Sequence, residues 1–182
     1  MKVGKILYFS PKYKFLDLKW DKKTLIKAFR DRVEGFYLNP AKLLNEGKHA
    51  FGAGVLCVTT IDFLARITIN SEKVGQRIKG WLTKNIPGDF NETLAQRFYE
   101  EFRNGLVHEG RIKNCGQFSY DFSELVHQEN GIIIVNSNLL LEKINDSFES
   151  YMTKVRTDNF TFQLFKCALM RDFQEDVKCA QR

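Results

Sequence analysis

Apolar side chains recur every three or four residues through most of this chain, and this period limits the folds that it can form. Leu94, Phe98, Phe102 and Leu106 lie four apart within residues 89–110, so they share one face of a helix. Comparable stripes occupy residues 21–35, 39–69, 71–86, 137–155 and 158–177. Because each stripe must be buried against another element, the pattern predicts a mainly α fold, a bundle of helices.

Residues that accept hydrogen bonds from the first free amides of a helix precede most of these stripes. We expect such N-caps at Asp21, Asn39, Ser71, Asp89, Ser137 and Asp158. Pro40 suits the first helical position, and Glu92 completes a capping box with Asp89. Gly35 and Gly110 should end two of the helices, and Pro87 should stop a third.

Two regions depart from the helical period. Residues 1–20 are rich in aromatic and branched side chains around a Ser-Pro pair, which predicts a short extended arm. Residues 115–136 alternate polar with aromatic side chains before a branched run, which predicts a small inserted β hairpin. Since no linker or repeat divides the chain, we predict one domain over residues 1–182.

Composition narrows the class of protein and its surroundings. The formal net charge of +6 raises the expectation of a polyanionic partner such as RNA, although a solvated basic surface is the simpler explanation of the charge alone. The four cysteines lie far apart without a C-x-x-C pair, so we expect reduced thiols and no metal or cofactor. The amino terminus lacks the apolar region of a signal peptide, and no window approaches eighteen apolar residues. We therefore predict a cytoplasmic protein without a membrane segment.

The residues best suited to chemistry gather at the end of the 89–110 stripe, where Arg103, Asn104 and His108 occur within six positions. Arginine carries a permanent charge and a planar fork of donors that matches two phosphate oxygens. Histidine can take and give a proton near neutral pH. Together they suit metal-free RNA cleavage, in which the ribose 2′-hydroxyl attacks the adjacent phosphate.

Helical geometry limits how these residues can cooperate. Asn104 and His108 are four apart and lie one above the other, so the amide can orient the imidazole. Arg103 and His108 are five apart, which is about 140° around a helix and roughly 7.5 Å along it. A site that uses both therefore needs the reach of the arginine, a distorted turn around Gly105, or a second copy of the helix.

The run from Arg103 to Gly110, Arg-Asn-Gly-Leu-Val-His-Glu-Gly, resembles the motif of the HEPN superfamily, an arginine followed after four to six residues by histidine. The stretch from Pro40 to Leu64 is similar to the long helix that packs against the motif helix in that family. The resemblance covers about residues 39–178 and implies an up-and-down helical bundle of four or five helices. It further implies a homodimeric, metal-independent endoribonuclease with catalytic Arg103 and His108 and supporting Asn104. It also implies an antitoxin or a defence-system protein as a partner, whereas the arm and the hairpin depart from the family pattern.

Other interpretations remain open. Arg103 and His108 could simply bind carbonyl groups at the helix end, where cations are favoured. The chain could also be a non-catalytic helical module that binds RNA, a nucleotide or a protein. Asp62 and Arg66 are spaced for an ordinary ion pair, or else one of them faces the cleft and tunes His108. We expect surface or packing roles for His49 and His127, and core packing rather than base stacking for Phe118, Tyr120 and Phe122.

Overall fold

The computed structural model describes residues 2–3 and 6–181 and has a mainly α fold with a small β element, which confirms the predicted fold class. The helices are α1 (Lys22–Val33), α2 (Asn39–Glu46), α3 (Ala50–Thr68), α4 (Val74–Asn85), α5 (Glu92–Arg97), α6 (Asn104–Glu109), α7 (Ser137–Thr157) and α8 (Asn159–Ala180). Two π-helical turns, Glu34–Leu38 and Phe98–Arg103, join α1 to α2 and α5 to α6. The strands are β1 (Lys2–Val3), β2 (Ile6–Leu7), β3 (Gln117–Phe118), β4 (Val126–Glu129) and β5 (Ile132–Val135).

The chain forms two compact units. We call Met1–Tyr37 together with Phe148–Arg182 the terminal unit, and Leu38–Ser147 the central unit. The central unit contains the Arg103 to His108 motif. Two compact units can belong to one domain, so the single-domain interpretation stays a prediction.

The terminal unit has a core rich in phenylalanine. Phe29 of α1 packs on Phe148 of α7 and Phe165 of α8, with ring centroids 6.1 and 5.0 Å away. The predicted extended arm contains the antiparallel pair β1 and β2. Beyond β2, the ring of Phe9 lies against Phe15 and Phe173 at 5.4 and 5.3 Å.

Helix α3 is the centre of the central unit and packs against α2, α4 and the second π-helical turn. It also has the length and composition of a membrane span, with a mean hydropathy of 1.6, so the expectation that no stretch approaches such a span is wrong. Half of its apolar window is buried in the protein, as in the core helix of a soluble protein. The feature is therefore weak evidence for a membrane segment.

Residues 39–69 form two helices rather than the single long helix predicted. Helix α2 ends at Gly47, Lys48 adopts a left-handed backbone with φ of 59°, and α3 starts afresh. Asn39 is not an N-cap, because the chain enters α2 through the first π-helical turn. Gly35 lies inside that turn instead of ending a helix. A Cβ atom there would lie 2.5 Å from Cγ of Pro11, so the glycine permits close packing.

Three further predicted N-caps are wrong. Asn91 replaces Asp89, since its Oδ1 accepts a hydrogen bond from the amide of residue 94. Asn136 replaces Ser137 in the same way, with its Oδ1 bound to the amides of residues 138 and 139. Helix α4 has no side-chain cap, so Ser71 does not serve this role. The caps at Asp21 and Asp158 and the end of α4 before Pro87 are confirmed.

The predicted hairpin is confirmed as β4 and β5, joined by Asn130 and Gly131 with φ of 52° and 79°. Such left-handed pairs are typical of two-residue hairpin turns. The structure adds β3, which pairs with β5 in parallel. Phe118 of β3 packs on Phe102 at 5.2 Å and lies directly over Gly54 of α3, so this aromatic residue serves packing, as predicted.

Candidate functional site

The motif lies at the end of a continuous helical segment formed by α5, the second π-helical turn and α6. The amide of Asn104 bonds to the carbonyl of Tyr99, five residues back, which is the hydrogen bond of a π-helix. Single π-helical turns inside α-helices are frequent at functional sites. The segment ends at Gly110 with φ of 67°, as predicted, and the Gly110 amide bonds to the carbonyl of Gly105.

Gly105 brings the following loop close to the motif. A Cβ atom at this buried position would lie 2.4 Å from the carbonyl oxygen of Arg111 and 3.2 Å from the amide nitrogen of Lys113. The Lys113 amide in turn donates to the carbonyl of Glu101 at 2.9 Å. Residues 111–113 therefore pack against the helix between Arg103 and His108, where a side chain would force them away.

Arg103 is held in place by α3. Its Nε and Nη2 atoms donate to Oδ2 of Asp62 at 3.0 and 2.9 Å, and Nη1 donates to Oδ1 of Asn104 at 3.2 Å. The side chains of Arg103 and Asp62 are only 16% and 26% exposed. A guanidinium group has five N–H donors, so two of them have no hydrogen-bond partner among the described residues. Arg103 is thus oriented and can still bind an anion.

Asp62 was expected to pair with Arg66 or to tune His108, and the structure instead directs it to Arg103. The two residues are 41 positions apart, so no local pattern links them. Sequence analysis therefore missed Asp62 as the partner of the motif arginine. The sequence does contain a signal for such a role, because Asp62 is a carboxylate within a strongly apolar helix. The spacing led to Arg66, one turn away, as its expected partner.

His108 lies in the last turn of α6, is exposed, and has no hydrogen bond to any described residue. The adjacent Glu109 turns to the loop, where its carboxylate pairs with Arg111 and Lys113 at 2.7 Å each. Hydrogen bonding to Lys113, and then the charges of Lys113 and Arg111, hold the pKa of Glu109 below its ordinary value. The structure therefore unites Arg103 with Asn104, whereas His108 faces solvent without either of them.

The remaining histidines have other surroundings. Nδ1 of His127 lies 2.8 Å from Glu124, and its ring stacks on Phe122 at 3.8 Å. His49 is exposed beside the break between α2 and α3. These placements agree with the predicted surface and packing roles.

A buried polar cluster near the start of α7 was not predicted. Oδ1 of Asn45 accepts hydrogen bonds from Ser137 and Tyr120 at 2.9 Å each, beside an open cavity of about 380 Å³. The described residues contain no group of three or more His, Cys, Asp or Glu side chains that could hold a metal ion. All four cysteines are free thiols.

Comparison with known proteins adds no further constraint on this site. No protein-family model matches the chain, and neither a curated protein nor a solved structure does.

Proposed function

We propose that this protein is a cytoplasmic, metal-independent endoribonuclease of the HEPN type that acts as a homodimer. The observation that carries the proposal is the oriented Arg103, which keeps two free donors close along the helix to an exposed histidine. A partner that controls the activity, such as an antitoxin or a defence-system protein, belongs to the same proposal.

The reaction assigns a separate task to each residue. His108 takes the proton of the ribose 2′-hydroxyl, and the oxygen attacks the adjacent phosphorus. The free donors of Arg103 bind the phosphoryl oxygens on which negative charge accumulates. The imidazolium of His108 returns the proton to the leaving 5′-oxygen, and the products are a 2′,3′-cyclic phosphate and a 5′-hydroxyl. Asn104 helps to orient the guanidinium group.

A second copy of the chain completes this chemistry. The backbone between Arg103 and His108 is α-helical, so the two side chains diverge by about 140° within one chain. In a two-fold dimer, His108 of one protomer can face Arg103 of the other. Each dimer then contains two such sites, and each site has one Arg103 and one His108.

One observation favours a second candidate function, a non-catalytic module that binds RNA, a nucleotide or a protein. Asp62 compensates the charge of Arg103, which weakens its attraction for a phosphate. Binding without cleavage on varied RNAs would favour this function.

The deciding experiment is RNA cleavage in the presence of EDTA by wild type, by Arg103→Lys and by His108→Ala. Lysine keeps the charge but loses the fork of donors, and it leaves Asp62 with a cation, so the fold should survive. We expect each substitution to reduce cleavage by about 10²- to 10⁴-fold with an unchanged circular dichroism spectrum. A wild-type protein without products, or a fully active His108→Ala protein, would refute the proposal.

Mixing the two variants tests the shared site. If each site takes arginine from one protomer and histidine from the other, an equimolar mixture after subunit exchange should recover about a quarter of the wild-type activity. Half of the dimers would be mixed, and one site in each of these would be intact. A mixture as inactive as its components would refute the shared site.

A further inference from the structure

The positive charge of this protein is concentrated at its amino-terminal end. Residues 1–30 contain nine lysine and arginine residues against two aspartates, a net charge of +7. The whole chain has a net charge of +6, so the remaining residues are close to neutral. The basic bias is therefore a local property of the arm and α1 rather than a general surface feature.

The structure arranges part of this charge along one edge of the terminal unit. Lys23 and Lys27 are exposed and one turn apart on α1, so they share a face. The amide of Lys12 donates to Oδ2 of Asp31 at 2.9 Å, which fixes the arm beside the last turns of the same helix. Lys12, Lys27 and Tyr13 then line one open cavity of about 260 Å³. We call Lys12, Tyr13, Lys23 and Lys27 the basic edge.

Most of the charge on the basic edge is available to a ligand. Lys23 and Lys27 have no ion-pair partner among the described residues, and Lys12 is 81% exposed with only a 3.7 Å contact to Asp31. Three other groups line the cavity, Arg30, Asp31 and Glu34. Arg30 and Glu34 are paired with each other, and Arg30 is also bound by Glu149.

We propose that the basic edge binds the backbone of single-stranded RNA, and that the cavity takes a base stacked on Tyr13. This inference rests on the proposed function for its choice of polyanion. Lysines bind phosphates as point charges without regard to sequence, and an aromatic ring beside them accepts any base. The basic edge thus supplies affinity for RNA. The motif supplies such affinity only weakly, because Asp62 compensates the charge of Arg103.

The test measures RNA binding separately from cleavage. The probe is a fluorescein-labelled single-stranded RNA of about 20 nucleotides, followed by anisotropy over a range of KCl concentrations in the His108→Ala background. The test variant changes Lys12, Lys23 and Lys27 to glutamine. The matched control changes Lys73, Lys84 and Lys143 to glutamine, three exposed lysines of the central unit, and so has the same net charge.

Counterion release gives the size of the expected effect. Loss of three phosphate contacts should reduce the slope of log K against log salt by about 2 and weaken binding on the order of 100-fold at about 0.1 M salt. Tyr13→Leu should weaken binding about tenfold with an unchanged slope. The control triple variant should retain the wild-type slope. Equal losses in both triple variants would overturn the proposal, because net charge alone would then explain binding.

The remaining outcomes separate this inference from the proposed function. Lysine-dependent RNA binding by a protein that cleaves no RNA would support the basic edge and refute the nuclease. Efficient RNA cleavage, together with RNA binding that does not depend on the three lysines, would support the nuclease and refute the basic edge. If the basic edge binds phosphatidylserine vesicles but does not bind RNA, it is a membrane-binding surface and the inference is wrong.

Discussion

Replacing Gly105 by alanine should destabilise the central unit, although alanine is preferred over glycine inside helices by about 1 kcal/mol. The added Cβ would lie 2.4 Å from the carbonyl oxygen of Arg111, a backbone atom that cannot rotate away. Overpacking of this kind costs about 1–3 kcal/mol. Moving the loop away also weakens the hydrogen bond from the Lys113 amide to Glu101, worth about 1 kcal/mol. The net expectation is a loss of about 2 kcal/mol.

Gly80 of α4 supplies the matched control within the same unit. A Cβ atom added at Gly80 would lie 3.8 Å from Cγ2 of Ile69, which is an ordinary van der Waals contact. Gly80→Ala should therefore raise the free energy of unfolding by up to about 1 kcal/mol. The assay is thermal unfolding followed by circular dichroism. For a chain of this length, Gly105→Ala should lower the Tm by about 4–8 °C, and Gly80→Ala should raise it by about 2–4 °C.

The two substitutions are the same chemical change, so their opposite signs isolate the environment of the glycine. A Gly105→Ala protein that melts at or above the wild-type temperature would mean that residues 111–113 do not pack on the motif helix. The description of Gly105 as a close-packing position would then be wrong.

Two titrating groups give further predictions. Burial raises the pKa of the Cys57 thiol to about 12. A thiol reagent at about pH 8 should therefore modify the three exposed cysteines quickly and Cys57 only after unfolding; the exposed ones are Cys115, Cys167 and Cys179. Four rapidly reacting thiols in the native protein would contradict the burial of Cys57. The hydrogen bond from Arg30 lowers the pKa of Glu149, so this carboxylate adds stability that is complete above its unfolded pKa of about 4.3 and is lost as the pH falls through the folded value. Denaturation midpoints should therefore show Glu149→Gln to be less stable than wild type at about pH 7, with a difference that shrinks as the pH falls through the folded pKa, and a constant difference would contradict the ion pair.

Sequence analysis predicted the elements that depend on local patterns. The helical segment that ends at Gly110 combines a periodic apolar stripe with a glycine in the left-handed region, and both signals are contained within a few turns. The caps were less secure because neighbouring residues compete for the same role. Asn136 and Ser137 have similar capping preferences. In the structure Asn136 accepts from the first amides of α7, while the Ser137 hydroxyl donates to Asn45.

The environment of Arg103 could not be predicted in the same way. Local spacing offered Asp62 a partner one turn away, whereas packing of α3 against the motif helix brought it a distant arginine. A local pattern gives only the candidates for an ion pair, and tertiary packing chooses between them. The break between α2 and α3 is local instead, since α2 ends at Gly47 and Lys48 adopts a left-handed backbone although the apolar stripe would continue the helix.

Arg103 and His108 can share a site through the reach of the arginine, through a distorted turn or through a second copy of the helix, and the geometry of the motif distinguishes these three ways. The side chain of Arg103 extends to Asp62 in α3, while His108 faces solvent. The π-helical distortion lies at Phe98–Arg103 and ends at the first residue of the motif, and the turn around Gly105 is α-helical and packed against the following loop. Neither reach nor distortion therefore brings the two side chains together. The proposed reaction then needs apposition with a second copy, which is why recovery of activity in the mixture of Arg103→Lys and His108→Ala is its most demanding test.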